Sequence, residues 1–124
     1  MVHGSFLPDR DLPTVQVAVG FGQTVLFPTF ILDTGFSGDL KVDRQTADDL
    51  GIEVQGMTYT DNANGERVLV GMAHGYAEME NKKKPISILV APGAHLAGMG
   101  LFKAFGYTVV VDAKNKTTHL EASR

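Results

Sequence analysis

The chain has 124 residues, of which 44% are hydrophobic and 20% charged, a balance that suits one soluble globular domain and argues against disorder. Cysteine is absent, which excludes a disulfide framework, a thiol nucleophile and thiolate metal sites. A net charge of −3 disfavours a nucleic-acid partner, and the longest apolar runs, such as Ile86 to Ala91, fall far short of the roughly 20 residues of a membrane-crossing helix. Met1 to Pro8 shows no basic start followed by an apolar core, so no signal peptide is expected and the expected location is cytoplasmic.

Residues 1–13 carry Pro8, Pro13 and mixed charge and read as an N-terminal arm of a single domain spanning 1–124. Thr14 to Val19 alternates loosely, as a half-buried strand does, and Gly20-Phe-Gly22 reads as a turn. Thr24 to Leu32 is a long stretch of β-branched and aromatic residues, and Pro28, which cannot donate to a ladder, predicts an edge or bulge within it. Leu40 to Val42 forms a short strand. Asp43 then caps a helix that runs through Leu50 and stops at Gly51. Glu53 to Thr60 and Glu66 to Met72 pair as a hairpin whose tip is Asp61-Asn-Ala-Asn-Gly65, with Asn64-Gly65 a strong turn signal. A second hairpin joins Tyr76–Glu80 to Pro85–Val90 across Asn81–Lys84, and its lysine run reads as a solvated turn. Met99 to Phe105 fits a short helix closed by Gly106. Thr108–Asp112 and Thr117–Glu121 form a last hairpin. With no internal repeat and 14 glycines punctuating short apolar runs, these elements sum to a mostly-β barrel with one or two short helices.

The segment that carries chemistry is Phe30-Ile-Leu-Asp-Thr-Gly-Phe-Ser-Gly38. A buried strand runs straight into Asp33, and an acid there is costly unless hydrogen-bonded or sharing a proton. Gly35 allows a tight turn that brings amides near the carboxylate, and Thr34 adds a hydroxyl that donates and accepts. The tripeptide alone is a weak signal, since a plain turn after a strand also uses Asp and Gly.

In its context, Asp-Thr-Gly behind Phe-Ile-Leu resembles the active-site motif of the aspartic peptidases. The chain length and the single motif copy resemble the retropepsins. Leu96-Ala-Gly-Met-Gly-Leu-Phe-Lys-Ala-Phe-Gly106 is similar to that family's second signature, an apolar pair and a glycine before a helix that packs beneath the catalytic loop. The resemblance covers roughly Thr14 to Leu120, in matching element order. It is nearest to small prokaryotic single-domain peptidases of this group, whose motif often continues with Phe, a polar residue and Gly, as Phe36-Ser37-Gly38 does. Viral members carry a small residue where Phe36 sits, and Ala97 is smaller than the usual aliphatic.

Peptide hydrolysis by this chemistry needs two carboxylates, one to take a proton from water and one to donate to the scissile carbonyl. One Asp-Thr-Gly per chain therefore implies a homodimer, with Asp33 of each chain meeting at a two-fold axis. Asp39, Asp43, Asp48, Asp49 and Asp61 lie in polar, turn-like or helix-surface stretches, and Asp112 lacks a glycine turn. The resemblance implies that Asp33, Thr34 and Gly35 are catalytic and that Thr34 bonds across the dimer. The Thr58–Met72 hairpin becomes a mobile flap. Phe36, Asn62, Ala63, Asn64 and Gly65 contact an extended peptide or protein substrate, and the terminal strands, with residues near the N-terminus, build the dimer sheet. An exposed hairpin with no role is the alternative for the flap. A non-catalytic dimerising or peptide-binding module is the alternative for the whole chain.

No metal or other cofactor is expected. His3, His74, His95 and His119 are scattered, and the serines lack a Gly-x-Ser-x-Gly setting. Gly20-Phe-Gly22 and Gly98-Met-Gly100 lack the rest of a dinucleotide fingerprint. Asn115-Lys-Thr117 matches a glycosylation sequon without a secretion signal. The methionines read as packing.

Overall fold

Short apolar runs punctuated by glycine, proline and asparagine favour many short strands, and a computed structural model, which describes residues 1–62 and 64–124, shows that outcome. In chain order the strands are β1 (Val2–His3), β2 (Ser5–Leu7), β3 (Leu12–Gln16), β4 (Ala18–Phe21), β5 (Thr24–Leu26), β6 (Thr29–Leu32) and β7 (Leu40–Val42). Helix α1 (Arg44–Leu50) follows, then β8 (Gly56–Asp61), β9 (Arg67–Met79), β10 (Lys82–Val90) and β11 (Leu96–Ala97). Helix α2 (Met99–Phe105) leads into β12 (Tyr107–Asp112) and β13 (Thr117–Ala122).

One curled sheet runs in the order β2-β3-β6-β11-β7-β10-β9-β4-β5, with β8 added to β9, and a smaller sheet runs β1-β13-β12. Most pairs are antiparallel; β6 with β11 and β7 with β10 are parallel. The curl encloses a core of Val15, Val17, Val19, Phe30, Leu40, Val42, Ile88, Leu101 and Leu120, all buried. The mostly-β expectation holds, and both helices lie where the sequence places them. Asp43 accepts from the Thr46 N–H at 2.8 Å to cap α1, and Gly51 and Gly106 end the helices in the left-handed region, at φ 73° and 69°.

Four expectations shift. The strand predicted over Thr14–Val19 breaks at Val17, whose N–H donates to the Pro28 carbonyl at 3.2 Å. Pro28 interrupts its own strand at the facing point, so the ladder bends and the two halves find different neighbours, β3 with β6 and β4 with β9. Gly20 is strand rather than turn. The Tyr76 ring covers it so closely that a Cβ would sit 2.0 Å from that ring, and the turn falls after Phe21, at Gly22-Gln23.

Residues 1–13 are not a free arm. β1 pairs with β13 and β2 with β3, and the Gly4 N–H donates to the Thr118 carbonyl at 3.0 Å between them. The lysine run is not the turn of the second hairpin either. Glu80 and Asn81 turn the chain, at φ 51° and 63°, and Lys82 to Lys84 lie exposed in β10. Two consecutive left-handed residues match the twist of the long β9–β10 ladder, which a four-residue loop would interrupt.

Candidate active site

Asp33 stands one residue past β6. Phe30 and Leu32 point into the core, and parallel pairing sets Ile31 beside Leu96 and Leu32 beside Ala97. The ladder extends past the strand end, because the Asp33 N–H donates to the Ala97 carbonyl at 2.9 Å. The chain then turns back, with the Phe36 N–H on the Asp33 carbonyl at 3.1 Å. Inside that turn the Gly35 N–H donates to Asp33 Oδ1 at 2.9 Å. A Cβ on Gly35 would lie 3.2 Å from that oxygen, so glycine permits the close approach. The carboxylate is half-buried, while Thr34, Gly35 and Ser37 are exposed.

The second motif holds this loop from beneath, for a reason that lies in helix physics. The first N–H groups of any helix have no partner inside it. Gly98, at the N-cap of α2, offers no side chain to satisfy them. The Asp33–Asp39 loop supplies the acceptors: Met99 N–H donates to the Phe36 carbonyl at 2.8 Å, Gly100 to Gly38 at 3.0 Å, and Gly98 to Asp39 at 2.9 Å. The Phe36 ring lies across the two glycines, so that a Cβ would come within 2.5 Å of it at Gly38 and 2.6 Å at Gly98. An aromatic at Phe36 and glycines at both of those positions are thus one packing solution.

Above the loop, β8 and β9 form the expected hairpin, with Thr58 opposite Val70 and Thr60 opposite Val68. Asn62 organises its tip. Its side-chain oxygen accepts from Asn64 N–H at 3.0 Å and Glu66 N–H at 2.9 Å, and Gly65, at φ 78°, donates to its carbonyl at 3.0 Å. Between hairpin and loop lies an open cleft of about 850 Å³, lined by Asp33, Gly35, Phe36 and Ser37 below, by Asn62 and the inner strands above, and by Lys41, Leu89, Pro92 and Leu96 at the side. Of the residues expected from sequence, Asp33, Gly35, Phe36 and Asn62 come together in this cleft. Thr34 is exposed beside it, Asn64 and Gly65 belong to the turn above, and Ala63 lies outside the described residues.

Three contributors were not apparent from the sequence. Asp39 is half-buried, and its Oδ2 accepts the Ser87 N–H at 2.8 Å, tying the Asp33–Asp39 loop to β10. Gly100 makes room for it, since a Cβ there would fall 2.1 Å from Asp39 Oδ1. Lys41 donates to the Ala94 carbonyl at 2.7 Å, and burial lowers its pKa while the nearby Asp43 opposes that shift. His95 carries the same wall loop. Its carbonyl accepts Ile31 N–H at 2.9 Å, and its Nε2 lies 3.0 Å from Thr46 Oγ1 and 3.3 Å from Asp43 Oδ1. The Thr46 backbone N–H, then its hydroxyl, then His95 hold the Asp43 carboxyl down at about 2. An acid after Gly38 and a lysine between two core residues were the available signals, but their partners lie some fifty residues away.

Among the described residues no group of three His, Asp or Glu is placed to hold a metal ion, and no helix is long and apolar enough to cross a membrane. No family model matches the chain, and no curated protein matches it. Among solved structures, a retropepsin-like aspartic protease from Rickettsia conorii superposes with a TM-score of 0.61 at 18% identity, covering 98% of this chain and 89% of that one. The chain therefore has the retropepsin-like fold, a curled β half-barrel with Asp33-Thr34-Gly35 just past the end of β6 and a hairpin above the cleft.

Proposed function

We propose that the protein is an aspartic endopeptidase that works as a homodimer, with Asp33 of both chains forming the catalytic pair. The observation that carries this reading is the setting of Asp33: a carboxylate at the end of a buried strand, held by the N–H of its own Gly35, and open to a hairpin-covered cleft. A pure binding surface has no need of a carboxylate set at a strand end beneath a hairpin.

The chemistry follows from pairing. Two carboxylates about 3 Å apart cannot both ionise, so the pair carries one proton. The ionised member takes a proton from water as that water attacks the scissile carbonyl carbon. The protonated member hydrogen-bonds the carbonyl oxygen as negative charge develops on it. Collapse of the tetrahedral intermediate breaks the C–N bond, and the pair passes a proton to the leaving amine. Exposed Thr34 offers its hydroxyl to the partner chain, and the substrate lies extended between hairpin and loop.

Topology suggests where the chains meet. β13 is already flanked by β1 and β12, and β1 is only two residues long. The outer edge of β12, with exposed Val111, is the longer open edge of that small sheet. Pairing β12 with its two-fold mate covers both edges at once.

The test is cleavage of a diverse peptide library by the purified protein from about pH 4 to pH 8, a range that brackets a shared-proton pair, beside Asp33→Asn. Cuts by the parent that the variant does not make are the expected result. No cuts by either, with peptide still bound, would leave the non-catalytic binding module.

A further inference from the structure

Strand pairing sets Ile31, Leu96, Lys41, Leu89 and Met72 in one row across the sheet: Ile31 opposite Leu96, Leu96 opposite Lys41, Lys41 opposite Leu89, Leu89 opposite Met72. Directly paired residues project to the same face, so Lys41 is a single cation in an otherwise apolar row. Its neighbours Leu40 and Val42 point the other way, into the core. Leu96, Lys41 and Leu89 line the cleft together with Phe36 and Asp33.

The lysine has no carboxylate partner among the described residues. Its hydrogen bond to the Ala94 carbonyl, at 2.7 Å, uses one of its three protons. Asp43, the acid that acts on it electrostatically, is itself committed to Thr46 and His95. Of the other charges on the cleft wall, Asp33 is held by the Gly35 N–H at 2.9 Å, while Asp61 and Arg67 face each other across the hairpin ladder, and the Arg67 guanidinium lies over the Tyr59 ring at 5.7 Å. Tethering the Ala94 carbonyl needs only a neutral donor, which would lose less hydration. The positive charge at this place is thus unexplained by the chain's own contacts.

We propose that Lys41 makes the subsite between Phe36, Leu89 and Leu96 selective for an acidic side chain of the bound peptide. The inference rests on the peptidase reading and names its substrate class: an extended peptide with Asp or Glu near the scissile bond, its methylenes against the leucines and its carboxylate on the ammonium. An unpaired charge in a partly desolvated cleft discriminates strongly, because a like charge is repelled and a neutral side chain leaves it unmatched.

The test uses Asp33→Asn protein, so that binding is measured without hydrolysis. Fluorescence polarisation would follow labelled ten-residue peptides carrying Glu, Gln or Lys at each position in turn, with Lys41 intact, as Lys41→Gln and as Lys41→Glu. With Lys41 intact, one position is expected to favour Glu over Lys by about tenfold, with Gln between. Lys41→Gln, which keeps a donor for the Ala94 carbonyl, should level that preference, and Lys41→Glu should reverse it. No acidic preference, a preference that both substitutions leave unchanged, or no binding of any peptide would each overturn the inference. The peptidase reading fails separately, when the chain with Asp33 intact cuts none of these peptides, whichever of them the Asp33→Asn protein binds.

Discussion

Gly98→Ala offers a sharp test of the contact between the two motifs. A Cβ there would lie 2.4 Å from the Gly38 carbonyl oxygen, 2.5 Å from that of Phe36 and 2.6 Å from Phe36 Cδ2. Neither oxygen can step aside freely. The Gly38 oxygen accepts the Gly100 N–H at 3.0 Å and the Phe36 oxygen accepts the Met99 N–H at 2.8 Å. Relief requires parting the Asp33–Asp39 loop from α2. Losing two net hydrogen bonds costs about 2 kcal/mol, and residual overpacking adds 1 kcal/mol or more, so we expect a loss of about 3 kcal/mol. For a chain of this length that lowers Tm by about 10 °C.

Gly56→Ala is the matched control. It lies in β8 with nothing within 4 Å of its Cβ position and no positive φ, so the change should be neutral or stabilise by a few tenths of a kcal/mol. Urea unfolding followed by circular dichroism, at one fixed protein concentration, gives both values. Gly98→Ala within about 0.5 kcal/mol of the parent, or Gly56→Ala equally damaging, would refute the close-packing account.

Asp43→Ala should cost about 1 kcal/mol at neutral pH through loss of the α1 cap. The folded carboxyl is held at about 2 against an ordinary 3.8, so its contribution is present above about pH 4 and fades as pH falls toward 2. The side chain is 41% exposed, so solvent screens part of that contribution. Urea unfolding of parent and variant at pH 6, 4 and 3 should show the gap narrowing; a constant gap contradicts the assignment. Val111→Lys, on the open edge of β12, should weaken the proposed dimer by about a hundredfold, since its two-fold axis would count the lost valine burial and added repulsion twice. Sedimentation velocity across a dilution series measures this, and cleavage should fall in step while circular dichroism stays unchanged. A parent that sediments as a monomer at every concentration sinks the two-chain site.

Local chemistry made much of the fold legible. Asp43, Gly51 and Gly106 cap helices through groups within four residues of themselves, and Pro28 breaks a ladder by what it lacks. The Leu40–Val42 strand and the last hairpin follow from period-two burial and polar turns. Expectation and structure part where a distant strand decides. Gly20 stays in its strand because Tyr76 covers it, residues 2–7 pair because β13 and β3 present edges, and the lysine run joins β10 because β9 continues beyond the cleft hairpin.

The site divides the same way. Asp33, Gly35 and Phe36 could be singled out from nine residues of sequence, since the strand, the acid and the turn glycine are contiguous and their hydrogen bonds are local. Asp39, Lys41 and His95 could not, because their roles depend on Ser87, Ala94, Thr46 and Asp43, brought alongside only by the crossing of β7 with β10 and β11. The sequence by itself determined which residue types stand next to one another along the chain, and with them the caps, turns and the acid at the strand end. The tertiary structure alone decided which carbonyls α2 would claim and which charge would face the cleft, because long-range strand register, not neighbouring residues, sets those distances.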